Sequence, residues 1–197
     1  MRKTIVYNVV SLDGFHTGPE NDVTAMFPIM GKVFDTYNAE LLQEADVHLV
    51  GRVSFELFQS FWPKVAQNPD SEEWTPEQKE LSKAGQSVNT IVVSDSLTGT
   101  WPGIRIIRRA DAYQQIGELK RQGGKDILIT GSRTLWNDLL AHHLIDEIHL
   151  MIGNVLLGEG VTAFVGKPDV TLRLIEVRRW PDSDNALLRY EVLPSAR

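Results

Sequence analysis

The residues with the most chemical content lie between Asp126 and Met151, in the run DILITGSRTLWNDLLAHHLIDEIHLM. A short apolar strand pattern, Ile127 to Ile129, leads into Thr130-Gly131-Ser132. A helical pattern follows with Leu135, Leu139 and Leu140 aligned, and a second apolar strand pattern covers Ile145 to Ile152. A strand that turns through Gly-Ser into a helix directs free backbone N–H groups and the positive end of the helix dipole at one place. Glycine lets a ligand approach the backbone closely there. A phosphate or pyrophosphate answers that description and points to a nucleotide-type ligand. The same residues also fit an ordinary helix start with Ser132 as the N-cap.

Two other strand patterns end in similar groups. Val47 to Val50 runs into Gly51-Arg52-Val53-Ser54, and Ile91 to Val93 into Ser94-Asp95-Ser96. If these strands are parallel, their carboxyl ends share one edge of the sheet, where open α/β sheets bind ligands. Arg52 at a helix start opposes the helix dipole by a few tenths of a kcal/mol or more. A charge-assisted bond to an anion, about 1.5–3 kcal/mol, would outweigh that penalty. A solvated arginine on a surface turn is the other reading. With three such strand ends in one chain, a phosphate-bearing ligand is favoured. Neither a G-x-G-x-x-G run nor a Walker lysine loop follows the first strand. That strand ends in Ser11-Leu12-Asp13-Gly14-Phe15, and the long segment from Phe15 to Met30 reads as a lid or a plain surface loop.

The elements that must position these groups alternate in kind. Strands are predicted at Ile5–Val10, Val47–Val50, Val88–Val93 and Ile104–Ile107. Helices are predicted at Phe34–Ala45, at Ser54–Phe61 with a stop at Trp62-Pro63, after the capping signal Thr75-Pro76-Glu77-Gln78, and at Asp111–Gln122. Val170–Val177 and Ala186–Val192 alternate in period two and read as an antiparallel hairpin. The expected fold is a single α/β domain over residues 1–197, with about eight strands in a mixed, mostly parallel sheet and helices on both faces.

Bulk properties narrow the function. A chain of 197 residues, 42% hydrophobic and 23% charged, can bury one sizeable core. The net charge of −6 argues against general nucleic-acid binding, though not against one small anion held by placed arginines. With no cysteine, thiolate catalysis, disulfides and Cys-based zinc sites are excluded. No apolar run is long enough for a membrane span, and Met1-Arg2-Lys3-Thr4 enters a strand pattern directly, so a cytoplasmic location is expected.

Taken together, the motifs resemble those of the dihydrofolate-reductase-like superfamily, and within it the small bacterial proteins related to the reductase domain of riboflavin biosynthesis. The resemblance rests on Ser11-Leu12-Asp13-Gly14, on Gly51-Arg52-Val53-Ser54-Phe55-Glu56 matching G-R-x-[ST]-[YF]-E, and on the Val93-Ser94 strand end. It continues through Gly131-Ser132-x-x-Leu135, Leu144-Ile145-Asp146-Glu147 and Val155-Leu156-Leu157-Gly158-Glu159-Gly160, in order over about 150 residues. What it implies is a reduced nicotinamide cofactor, normally NADPH, laid across the strand ends. Arg52 and Ser54 would contact cofactor phosphates, and Ser94 would lie near the adenosine 2′-phosphate. Gly131, Ser132, Arg133, Thr134 and Leu135 would hold the pyrophosphate. Ser11 to Gly14 and the following loop would border the nicotinamide and the substrate. Two positions depart from the family: Ser132, where many relatives have a second glycine, and Asn154, where many have proline.

Hydride transfer to most acceptors also needs a proton. Asp35 and Asp13 are the two candidate catalytic carboxyls. Asp35 lies on the Phe34–Ala45 helix, sixteen residues before Gly51, close to where dihydrofolate reductases carry their pocket acid. A first-turn residue favoured by the helix dipole, and a turn former, are the plain alternatives for Asp35 and Asp13 respectively. His142-His143 diverge on a helix and His149 sits on a strand, so no metal site is expected. Asp146-Glu147 point to opposite faces and are expected to fix a strand edge. Apolar Leu187, Leu188 and Tyr190 on both faces of the closing hairpin predict a homodimer. The expectation is an NADPH-dependent reductase of a small heterocycle, pterin-, folate- or pyrimidine-like. The alternatives are 5-amino-6-(5-phosphoribosylamino)uracil reductase of riboflavin biosynthesis, and a non-catalytic nucleotide-binding module on the same fold.

Overall fold

Every residue of Thr4–Val10 is buried, as a strand must be when both faces of its sheet carry helices. The structure, a computed structural model, describes residues 2–195. Its strands are β1 (Thr4–Val10), β2 (Phe15–Thr17), β3 (Ala45–Gly51), β4 (Asn89–Val93), β5 (Ile104–Ile107), β6 (Asp126–Thr130), β7 (Glu147–Ile152), β8 (Val161–Thr162), β9 (Val170–Arg179) and β10 (Ala186–Pro194). Its α-helices are α1 (Lys32–Glu44), α2 (Arg52–Gln67), α3 (Pro76–Gln86), α4 (Arg109–Arg121) and α5 (Arg133–Ala141).

Eight strands form one sheet in the order β5-β4-β3-β6-β1-β7-β10-β9. The first six run parallel to one another, and β10 pairs antiparallel with both β7 and β9. This is the mixed, mostly parallel sheet with a closing hairpin that the sequence predicts. Alternate residues of each central strand feed two cores. Val6, Leu49, Ile129 and Ile148 pack under α4 and α5 with Trp136, which is fully buried. Ile5, Tyr7, Leu128 and Met151 pack under α1 and α3. Thr75 caps α3 in the full reciprocal arrangement with Gln78 that its sequence signals.

Helix α2 corrects one expectation. It runs to Gln67, through Pro63, rather than stopping at Trp62-Pro63. Proline in a helix costs about 3 kcal/mol. Val65, two residues further on, is 1% exposed, and burying a side chain of that size returns about 1.5–3 kcal/mol. Tertiary packing therefore carries the helix past its breaker.

The segment after β1 is also more ordered than a bare loop. β2 pairs with β8, and two 3-10 turns follow at Pro19–Asn21 and Val23–Ile29. Met26 and Ile29 are buried, and the Asn185 amide donates to the Ile29 carbonyl at 2.8 Å. Gly160 makes the β2–β8 contact possible. Its φ is +144°, and a Cβ there would run into the Thr17 carbonyl and the Gly18 backbone.

The outer strand β9 is the exception to this coverage. Leu172, Leu174, Ile175 and Val177 are 36–56% exposed. Leu187, by contrast, is buried within its own chain, so the apolar edge expected at the hairpin lies mainly on β9.

Gly160→Ala is expected to lower stability by about 2 kcal/mol or more, since both its backbone angle and its space exclude a side chain. Urea unfolding measures this, and an unchanged midpoint would mean that β2 does not dock on β8 as described.

Candidate functional site

Because β4, β3 and β6 are parallel neighbours, their carboxyl ends open on one side. A cleft of about 770 Å³ lies there. Arg52, Ser54, Ser94, Ser132, Arg133, Thr134 and Leu135 all line it. Gly131 sits behind this wall with φ +58°, and a Cβ on it would be 3.0 Å from the Ser54 hydroxyl. Seven of the eight residues expected to bind a cofactor are thus brought to one surface, and the eighth permits their close approach.

Two helix starts face this cleft. α2 begins after Gly51 and α5 after Ser132, and neither has a side-chain cap. The first N–H groups of each helix lack intrahelical partners. Ser132 therefore does not act as the capping side chain of α5. Its backbone lies in the left-handed region, φ 50° and ψ 41°, whereas capping geometry needs an extended residue. Its Oγ instead accepts the Gly51 N–H at 2.9 Å, and its own N–H donates to Ser54 Oγ at 2.8 Å. These two bonds tie the start of α2 to the start of α5.

The hydroxyls keep a donor in reserve. Ser54 and Ser132 each accept one backbone N–H, and Ser94 Oγ accepts those of Ser96 and Leu97 at 3.1 and 2.9 Å. A serine that accepts still has its O–H to give. None of the three has an acceptor among the described residues.

The cationic groups are already engaged. Arg52 pairs with Glu56 at 2.7 Å, an exposed ion pair of little net strength, which leaves its guanidinium available to an anion in the cleft. Arg133 donates to the Thr162 carbonyl and so holds β8 against α5. Arg109 lies 3.8 Å from Asp95, whose carboxylate also accepts the Arg109 N–H at 3.0 Å.

Several lining residues escape sequence reasoning. His16 on β2 faces the cleft; burial and then the Arg133 charge hold its imidazole down to about 4, so it is neutral at pH 7. Its Nδ1 is buried without a partner. Arg109 and Tyr113 come from α4, and Tyr113 donates to Asp138 at 2.9 Å. No local motif marks these residues, because the β5–α4 and β2–β8 packing delivers them.

The two candidate acids separate. The Asp13 carboxylate accepts from Ser11 Oγ at 2.6 Å and from the N–H groups of Leu157 and Gly158 at 3.1 and 2.7 Å. The Ser11 hydroxyl first, then these N–H groups, hold it below the usual carboxylate range. It is an ionised clamp between two loops, unsuited to give up a proton, and it does not line the cleft. Asp35 is the reverse case. Burial first, then Glu77, raises it to about 6. It also stands off the cleft, on the α1 stripe that carries Asn38 and Leu42. Those two residues line a second cavity of about 330 Å³ between the helices and the sheet.

The remaining acidic pair fixes a strand, as expected. Asp146 accepts the Thr4 N–H at 2.7 Å and pairs with Lys120. Glu147 accepts from Lys3 and bonds His149 Nε2 at 2.9 Å, while His149 Nδ1 meets the Tyr37 hydroxyl at 2.9 Å. The His149 contact, most of all, holds Glu147 down to about 2. Among the described residues no group of three or more His, Asp or Glu side chains is placed to hold a metal ion. No helix among them is long and apolar enough to cross a membrane.

Known proteins are similar to this chain in sequence and in fold. The chain is 31% identical over 180 residues to the uncharacterized protein YyaP of Bacillus subtilis (strain 168), covering 90% of this chain and 88% of that protein. Its structure is similar to that of a putative riboflavin biosynthesis protein from Shewanella sp. PV-4, with a TM-score of 0.69, 20% identity, and 96% and 98% of the two chains covered. It is also similar to dihydrofolate reductase from Enterococcus faecalis complexed with NADP(H) and RAB-propyl, with a TM-score of 0.59, 14% identity, and 99% and 97% covered. The fold is therefore dihydrofolate-reductase-like. Residues 2–187 match the model of the RibD C-terminal domain, and the chain belongs to that family.

Proposed function

We propose that this protein is an oxidoreductase that uses NADPH to reduce a small heterocyclic substrate. One observation carries the reading: two uncapped helix starts and three hydroxyls with unused donors converge on a single cleft at parallel strand ends. Such a surface suits an extended ligand with several phosphate oxygens. Ser132 to Leu135 at the start of α5 would hold the pyrophosphate, with Ser54 and Arg52 beside it. Ser94 and Arg109 at the far end fit a terminal phosphate, which distinguishes NADPH from NADH. When bound, the reduced nicotinamide would supply the hydride. The chain's own residues would bind, orient and shield.

Asp35 is the group suited to hold a proton near neutral pH, since burial keeps its carboxyl partly protonated there. Asp13 instead braces the loop that borders the site. A second reading stands on a specific observation: neither acid lines the cleft. A nucleotide-binding module without turnover would have this arrangement. Similarity to a diaminohydroxyphosphoribosylaminopyrimidine deaminase/5-amino-6-(5-phosphoribosylamino)uracil reductase from Thermotoga maritima also supports the phosphoribosylaminouracil reductase reading.

Calorimetric titration separates these possibilities. NADPH is expected to bind at micromolar concentration and NADH more weakly. Arg52→Ala should weaken both alike, by about tenfold, while Arg109→Ala should weaken NADPH alone. Equal affinity for NADPH in both variants would remove the proposed pose. Oxidation of NADPH in the presence of pterins, folates or pyrimidines, including the phosphoribosylated one, tests for turnover. Binding without any turnover would leave the module reading.

The role of Asp35 has its own pH signature. Its folded pKa lies above the unfolded value, so the stability it contributes is present at low pH and declines as pH rises from about 4 to about 6. Asp35→Asn is accordingly expected to stabilise the protein above that range, on the order of 2 kcal/mol, and to lower turnover. In the unsubstituted protein turnover should fall by about tenfold per unit as pH rises past the pKa. A flat profile would exclude Asp35 as the proton source.

A homodimer is part of the proposal. β9 ends the sheet with unpaired backbone groups and a stripe of exposed apolar side chains, a surface that a second copy would cover. Sedimentation should give twice the chain mass at micromolar concentration, and Leu174→Lys should halve it; a monomeric unsubstituted chain would reject this.

A further inference from the structure

Two consecutive polar side chains of β2, His16 and Thr17, line the cleft and hold groups that the fold leaves unused. The His16 Nδ1 and the Thr17 Oγ1 are both buried, and neither has a hydrogen-bond partner among the described residues. Thr17 is only 4% exposed, so water does not serve its hydroxyl in place of a partner. Polar groups left in this state are costly, and a ligand that met them would relieve the cost.

Neighbours on a regular strand point to opposite faces. Here the β2–β8 ladder slips between Phe15 and Thr17, and an irregularity of this kind re-aims a side chain. Both residues therefore reach the same cleft. The strand that carries them is a fixed platform, since it pairs with β8 and Arg133 ties β8 to α5. Groups held in place before a ligand arrives lose little freedom when it binds.

The two side chains differ in kind from the rest of the cleft wall. The His16 imidazole carries no charge at pH 7, because burial and then Arg133 outweigh a Val9 carbonyl that favours its proton. With its single proton on Nε2, it presents Nδ1 as an acceptor. The Thr17 hydroxyl can donate. One acceptor beside one donor, without charge, is the complement of a primary amide. Their place in the sheet agrees with this. The order β4-β3-β6-β1 sets Ser94, Ser54, Ser132 and the β2 pair in succession along the strand ends. β1 stands about 14 Å from β4, at about 4.8 Å per strand. A dinucleotide with its terminal phosphate at β4 and its pyrophosphate at the starts of α2 and α5 brings its nicotinamide to the β1 end.

We propose that the His16 and Thr17 side chains select the amide of the nicotinamide, His16 Nδ1 accepting its N–H and Thr17 Oγ1 donating to its carbonyl. The inference rests on the cofactor reading given above and assigns to this chain a specificity contact beyond the phosphates. Both residues act here as ligand-binding groups and take no proton from the reaction.

The test compares NADP+ with its 3-acetylpyridine analogue, in which a methyl ketone replaces the amide: the carbonyl is kept and the N–H is lost. The oxidised form is used so that no hydride leaves during titration of the whole chain. NADP+ should bind about tenfold more tightly than the analogue. His16→Leu should lower NADP+ to the affinity of the analogue and leave the analogue unchanged. His16→Asn, whose side-chain carbonyl replaces Nδ1 as acceptor, should restore the preference. Thr17→Val should weaken both dinucleotides by the same factor, since both keep the carbonyl. A loss of folding in any variant leaves the comparison in the unsubstituted protein decisive. If NADP+ binds but the analogue binds equally well, or if folded His16→Leu keeps the full preference, the amide contact is wrong and the cofactor reading survives. If neither dinucleotide binds, both fall together.

Discussion

The reciprocal pair of bonds between Ser132 and the Gly51–Ser54 segment is the constraint on which the cleft depends. Each serine hydroxyl accepts a backbone N–H from the other segment's helix start or its approach. The strands β3 and β6 are already neighbours in the sheet, but sheet pairing alone would not fix how the helices leave it. The two bonds do, and they hold Ser132 in a left-handed conformation that costs a non-glycine residue about 1–2 kcal/mol. Two charge-neutral hydrogen bonds contribute about 0.5–1.5 kcal/mol each, enough to offset that strain. In return, both helices point uncapped N–H groups at one place.

A second set of contacts brings the loop after β1 to the cleft. Asp13 clamps the Leu157–Gly158 backbone, Gly160 admits the Thr17 carbonyl, and Arg133 holds Thr162. These three link β2 and β8 to each other and to α5. Their effect is to place His16, neutral and with an unpartnered nitrogen, on the cleft wall beside Arg133. Charge, close approach and a backbone angle each act at a different point of the same tether.

Electrostatics divides the molecule into regions with different tasks. The paired ions Glu147, Lys3, Arg189 and Asp146 lie along the β1, β7 and β10 margin and fasten strands. The cleft keeps arginines at its rim, each held by an acidic or carbonyl partner. Under α2 the cavity has no charge at all. Asp35 lies where burial outweighs solvation, which is why its carboxyl departs upward while that of Asp13, surrounded by donors, departs downward.

The sequence by itself determined the sheet, the order of its elements and most of the cleft. Those features rest on short-range patterns: period-two and period-3.6 burial, the Thr75 cap, and strand ends carrying Arg52, Ser94 and Gly131-Ser132. A parallel sheet then forces separate strand ends together. Only the tertiary structure decided the rest. Pro63 failed to stop α2, because the burial of Val65 is a long-range term invisible to a local rule. Ser132 bonded across to Gly51 rather than capping its own helix, because its bonds to the Gly51–Ser54 segment, distant in the chain, hold its backbone in the left-handed region. Asp13 and Asp35 looked alike as isolated carboxyls, and acquired opposite properties from donors and burial supplied by distant segments. His16, Arg109 and Tyr113 reached the cleft through packing between elements far apart in the chain, which no spacing along it encodes.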